Sequence, residues 1–331
     1  MFLRFVLLGL HALLWQALPT FAESCDNPAP SGVTHSAIAA AASREHREFG
    51  GHVIHQDGTL WKFGTVESAS DSLRNPDTGN EEEDRFGRVA WRRVWSYWQA
   101  LERHAAGEAL SRKVLYLPGL LENADSVGRL REIDMRTLLS ENQVNDPAIR
   151  AALAQAAVRA AINDAAWSAA FIAYVMDAAQ LSNQQFRYSA AHAFYIQRAF
   201  QAPPDYAFRA CDPRTTTPRP GDLLCYSRGT SPLKNFDDWK DAVNDAGFAV
   251  ASHCDVVIEV DLAANKMDTV GGNVLQSVTR RTLKLDAANR LSRTHHPDAS
   301  PAPPSQPCAI GKACTRENFN LQYWSVLLQL K

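Results

Sequence analysis

Within residues 147–331, helix-forming sequence comes first and strand-forming sequence after it, and this order constrains the fold more than any other feature. Residues 147–176 are rich in alanine, the strongest helix former, and YSAAHAFYIQRAF repeats a helical spacing of apolar residues. Beyond Pro203 the pattern changes to short apolar runs separated by turn residues: RPGDLLCYS, HCDVVIEVDL and DTVGGNVLQSVTRRTLKL. A Pro-rich stretch, HHPDASPAPPSQP, precedes the last such run, NLQYWSVLLQL. Helices followed by antiparallel-type strands predict an α+β domain over residues 147–331, its N-terminal helices packed on an antiparallel sheet. Asn163 and Asp164, both good N-cap residues, predict a break in the alanine-rich run, with one helix ending near Ile162 and the next starting after Asp164.

Upstream, residues 23–146 read as a smaller, mainly helical accessory region. THSAIAAAASREHREF has a helical pattern, and GGHVIHQDGTLWKFGTVES reads as a hairpin punctuated by Gly50, Gly51 and Asp57-Gly58. The acidic run in DTGNEEEDR reads as a solvated loop. Trp91, Trp95 and Trp98 fall on one face of a helix; the stripe could bind sugar, but core packing is the expected role.

The first 22 residues have the order of a secretory signal: Arg4, an apolar stretch over residues 5–18, then Thr20 and Ala22 at a small-x-small cleavage site. The apolar stretch is shorter than the roughly 20 residues of a membrane span, and no later segment is apolar enough to cross a bilayer. Glu23 and Ser24 precede Cys25 where a lipoprotein signal needs small apolar residues. A periplasmic or secreted protein is expected, and in an oxidising compartment its six cysteines are expected to pair. Cys308 and Cys314 enclose a short loop and form an expected local disulfide; the pairing of Cys25, Cys211, Cys225 and Cys254 is left open. Cys254, beside His253, could instead be a reactive thiol.

With a net charge of -2, no strong basic balance points to nucleic acid. Neither phosphate-binding glycine motif is present, so no nucleotide or other organic cofactor is expected. No Cys-x-x-Cys or compact His/Cys cluster has zinc spacing, and His46, His52 and His55 suit surface or packing roles better than ligation. No metal is expected.

Three residues suit hydrolytic chemistry. Ser168, in NDAAWSAAF, is expected one turn inside a helix, where free backbone N–H groups and the helix dipole favour an ionising nucleophile and an oxyanion. His253 opens a strand and could serve as general base, with Asn273 of VGGN fixing its tautomer. Asp255, on His253's face of the strand, is the alternative orienting residue; Asp222 of PGD is expected to shape a turn. His192, close to Ser189, is a weaker candidate base. The bland alternative is that Ser168, among Ala165, Ala166, Ala169 and Ala170, is a small residue that lets helices pack.

The order WSAAF, RPGDLLCY, SHCDVVIEV and VGGN resembles that of CHAP amidases and NlpC-type cell-wall peptidases. More closely, the stretch from about Asp164 to the C-terminus resembles a bacterial exported domain family of unknown function with serine at the cysteine position. The resemblance implies a papain-like α+β fold, with Ser168 at the position of the catalytic cysteine, His253 at the base and Asn273 at the polar third residue. It also implies peptidoglycan or a related envelope peptide as partner.

Serine departs from the cysteine pattern: a thiol is partly ionised near neutral pH and a hydroxyl is not, so Ser168 needs a well-held imidazole to work. The expected function is hydrolysis of amide bonds in peptidoglycan or a related envelope substrate through an acyl-enzyme. The alternatives are a non-catalytic module that binds cell wall or an envelope protein, and an esterase.

Overall fold

The computed structural model describes Cys25 and residues 32–69, 73–74, 81–82, 89–108, 115–116, 129–130, 147–245, 247–298 and 318–331. The signal-like segment and the expected Cys308–Cys314 disulfide lie outside these residues.

An eight-stranded mixed sheet organises the chain, with strand order β2-β1-β11-β10-β9-β8-β12-β7. Its strands are β1 (His52–Ile54), β2 (Leu60–Lys62), β7 (Phe208–Cys211), β8 (Leu223–Ser227), β9 (Ser252–Asp261), β10 (Lys266–Val274), β11 (Ser277–Lys284) and β12 (Trp324–Leu330). Two small two-stranded ribbons pair β3 (Leu73–Arg74) with β4 (Glu81–Glu82) and β5 (Leu115–Tyr116) with β6 (Arg129–Leu130). The fold class is therefore α+β, as expected, but the sheet is not purely antiparallel. The hairpin of residues 52–62 joins it with β1 parallel to β11, His52 facing Thr279. The boundary expected at residue 147 thus does not divide the sheet, because the upstream hairpin forms one of its edges.

Six α-helices lie among the described residues: α1 (Val33–Glu48), α2 (Ala90–His104), α3 (Pro147–Asp164), α4 (Ser168–Ala178), α5 (His192–Gln201) and α6 (Phe236–Ala242). In α1, Ile38, Ala41, Ala42 and Glu45 are buried, and the close-set alanines bring the helix backbone near the sheet. Trp91, Val94, Tyr97, Trp98 and Leu101 are the buried stripe of α2, so two of the three tryptophans pack in the core. One apolar cluster joins α1, α2, α4 and α5 to Cys225, Cys254, Val256 and Val270 of the sheet. A second holds Leu224, Tyr226, Val257, Met267, Leu283, Trp324 and Leu327. Alternate residues of β8 and β9 thus supply the two faces, the period-2 consequence of strand geometry.

A buried carboxylate ties three helices together. Glu45 of α1 accepts from Arg93 Nε at 2.8 Å, from Tyr97 Oη at 2.9 Å and from Tyr174 Oη at 3.1 Å. Fully buried, this charge is offset by the guanidinium and by donors from α2 and α4.

Two disulfides pin the sheet: Cys25–Cys211, and Cys225–Cys254 across directly paired positions of β8 and β9. Cys254 is therefore not a reactive thiol; the strand register sets its side chain opposite Cys225. Such crosslinks fit an oxidising, extracytoplasmic environment. No helix among the described residues is long and apolar enough to cross a membrane. His52 is fully buried, whereas the His55 ring is more than half exposed, and no metal-holding cluster occurs among the described residues.

Candidate functional site

Ser168 is the first residue of α4, nearer the helix tip than expected, because α3 runs on through Asp164 and the break falls at residues 165–167. Asn163 and Asp164 close one helix instead of capping the next. Trp167 occupies the N-cap position without a capping side chain. It is fully buried and donates its indole N–H to Glu67 Oε2 at 2.6 Å, while Phe49 and Tyr97 flank its ring. Residues upstream of the α+β stretch therefore hold the turn that presents Ser168. Burial raises the Glu67 carboxyl to about 7, against the opposing effect of the indole hydrogen bond.

The nearest imidazole to Ser168 is that of His192. Ser168 Oγ lies 2.7 Å from His192 Nε2, and His192 Nδ1 is hydrogen-bonded to Tyr195 Oη one turn along α5. His192 opens α5, a helix on the same side of the sheet as α4, which explains the direct approach. Burial lowers its pKa well below the ordinary imidazole range, and the nearby His253 and Arg228 add to this. A neutral ring is the form that can accept a proton. With Nδ1–H donating to Tyr195 Oη, Nε2 presents its lone pair to the Ser168 hydroxyl.

His253 is placed differently from expectation. Strand alternation sends its side chain, with Asp255, toward the face of the sheet that carries Tyr226 and Trp324. Its ring centroid is 5.2 Å from that of His192, the imidazole in contact with the serine. His253 Nε2 donates to Asp255 Oδ1 at 2.8 Å, and Nδ1 is buried without a hydrogen-bond partner. Burial lowers the His253 pKa, with the Asp255 contact acting in the opposite sense. Although burial disfavours its ionised form, the Asp255 carboxylate is held low by the Arg281 guanidinium at 3.1 Å, by His253 and by the Thr269 hydroxyl at 3.1 Å.

Asp255, not Asn273, thus holds the His253 ring. Two positions along one strand suffice because Gly271, opposite, leaves the space: a Cβ there would meet Asp255 Oδ1 at 2.0 Å and His253 Nε2 at 3.0 Å. Gly272 lets α4 close on β10, since its Cβ would lie 2.4 Å from Phe171 Cβ. Asn273 is half-buried with φ of 56°, where β10 leaves its register and enters the turn through Leu275 and Gln276. Asp222 has its expected turn role: its carboxylate accepts from Arg219 N at 2.8 Å and Leu330 N at 2.9 Å, and burial raises its pKa to about 7. Ser189, paired with His192 in the sequence reading, bonds instead to Glu108 at 2.8 Å.

The arrangement therefore combines a hydroxyl at a helix tip, a neutral imidazole in contact with it, and a carboxylate-held second imidazole whose ring centroid is 5.2 Å from the first. Glu67 and Tyr195 were absent from the sequence reading. Tyr195 was accessible in principle, three residues after His192 on one helix; Glu67 carried no local signal. No curated protein and no solved structure matches the chain. The model of a family described as an uncharacterized protein conserved in bacteria, DUF2272, matches residues 139–330, from ahead of α3 to the end of β12. That match covers more than half of the 331 residues, and the chain belongs to the DUF2272 family.

Proposed function

We propose that the protein is an exported hydrolase of amide bonds in peptidoglycan or a related envelope substrate, working through a Ser168 acyl-enzyme on a papain-like frame. The observation that carries this reading is the 2.7 Å contact between Ser168 Oγ and His192 Nε2 at the first position of α4. Ser168 Oγ attacks the amide carbonyl carbon as its proton passes to His192 Nε2. The first-turn N–H groups of α4 face the oxyanion. His192 then protonates the leaving nitrogen as the C–N bond breaks. Water attacks the ester, His192 accepts its proton, and that proton returns to Ser168 Oγ on release of the acid. The base role expected for His253 passes to His192; His253 and Asp255 form the polar backing of that imidazole. The two disulfides and the signal-like N-terminus support export. Purified mature protein incubated with peptidoglycan should release fragments bearing new carboxyl and amino ends, and Ser168→Ala should release none.

A second reading, a non-catalytic module that binds wall peptide, is favoured by burial. Ser168, His192 and His253 are only 3%, 4% and 1% exposed, and the imidazole touching the serine is backed by a neutral tyrosine. Binding to peptidoglycan without turnover, unchanged in Ser168→Ala, would select it.

A further inference from the structure

On the sheet face that carries Trp324, a cleft of about 180 Å³ opens among segments far apart in sequence. Trp324 supplies an apolar wall, 3% exposed, and three cations line the space: Arg214, Lys234 and Arg293. Arg214 is held by Asp212 at 3.1 Å, and Lys234 by Asp298 at 3.3 Å. Arg293 has no carboxylate partner among the described residues, whereas the other two lining cations each have one. His295 also lines the cleft. Its Nε2 accepts from Lys284 N at 2.7 Å, and burial holds the ring neutral with a pKa of about 4, so Nδ1 carries the proton. The cleft is smaller than the pockets that enclose whole drug-sized ligands, so it suits a compact ligand or one end of a longer one.

We propose that this cleft binds a carboxylate-bearing ligand, the carboxylate on Arg293 and its short apolar neighbour against Trp324. Planar guanidinium matched to planar carboxylate makes the charge-assisted contact, and the indole wall takes the aliphatic part. Two sources supply that chemistry: the C-terminal end of a peptide, or a free amino acid. The inference does not depend on Ser168.

Calorimetric titration of the mature protein with N-acetyl-alanyl-alanine, its C-terminal amide, free alanine and inorganic phosphate tests this. The acid should bind, the amide about 10-fold more weakly or worse, and Arg293→Gln should weaken the acid about 10-fold with an unchanged melting temperature. Alanine binding as well as the dipeptide acid identifies free amino acids as the source; failure of alanine identifies peptide ends. No binding of either acid, equal binding of acid and amide, tighter binding of phosphate, or wild-type affinity in Arg293→Gln would each overturn the proposal.

Discussion

Glu67 holds Trp167, the residue before Ser168, through a 2.6 Å hydrogen bond from the indole nitrogen. The carboxyl lies outside the family match, and burial raises it from 4.5 to about 7. A carboxyl raised on folding contributes stability that is fully present below the unfolded pKa, near 4.5, and lost as pH rises through about 7. The size is about 3 kcal/mol at most. In Glu67→Gln the site is neutral throughout, so the stability difference between variant and wild type should grow in the variant's favour from pH 5 to pH 8. Denaturant midpoints at the two pH values check this; a difference independent of pH would contradict it.

The two imidazoles should separate kinetically if the protein is a hydrolase. His192→Ala removes the group in contact with Ser168 and should lower kcat by about 10²- to 10⁴-fold. His253→Asn removes a ring centred 5.2 Å from that of His192 and should cost less; the reverse order would transfer the base role to His253. Because burial holds His192 below the ordinary imidazole range, the acid limb of the kcat/KM profile should lie below pH 6.5.

Gly272 lets α4 approach the sheet. A methyl group there would lie 2.4 Å from Phe171 Cβ, and neither backbone can yield without moving the helix that bears Ser168. Gly272→Ala should cost about 1–3 kcal/mol by overpacking. Thermal melting checks this, and a wild-type melting temperature would show that α4 is not tightly seated.

The disulfides should contribute unequally. Cys25–Cys211 closes a separation of 186 residues and Cys225–Cys254 one of 29. Chain-entropy reasoning gives the longer crosslink an advantage of about 1–2 kcal/mol. Replacing each pair by serine and comparing unfolding midpoints tests the order; equal losses would show that loop entropy is not the main contribution.

Much of this architecture was legible in the sequence because it rests on local signals. The alanine-rich helices, the hairpin near residue 52 and the strands around Leu223, His253, Lys266, Ser277 and Trp324 follow from period and punctuation. What was not legible depends on three-dimensional approach. Alternation within β9 places His253 and Asp255 on one face, but which face meets α4 is fixed by packing. It turned His253 toward Tyr226 and brought His192 to Ser168. The exact break between α3 and α4 was misplaced because Asn163 and Asp164 are capping residues by propensity, whereas the buried anchoring of Trp167 accompanies a break three residues later. Glu67 could not be linked to Trp167 from sequence, since one hundred positions separate them.

The most direct test of the hydrolase reading is digestion of purified peptidoglycan by the mature protein, with released fragments identified by mass spectrometry. The wild-type protein should liberate fragments with newly formed carboxyl and amino ends, while a folded Ser168→Ala variant should liberate none. Equal release by both proteins, or none by the wild type, would contradict the account.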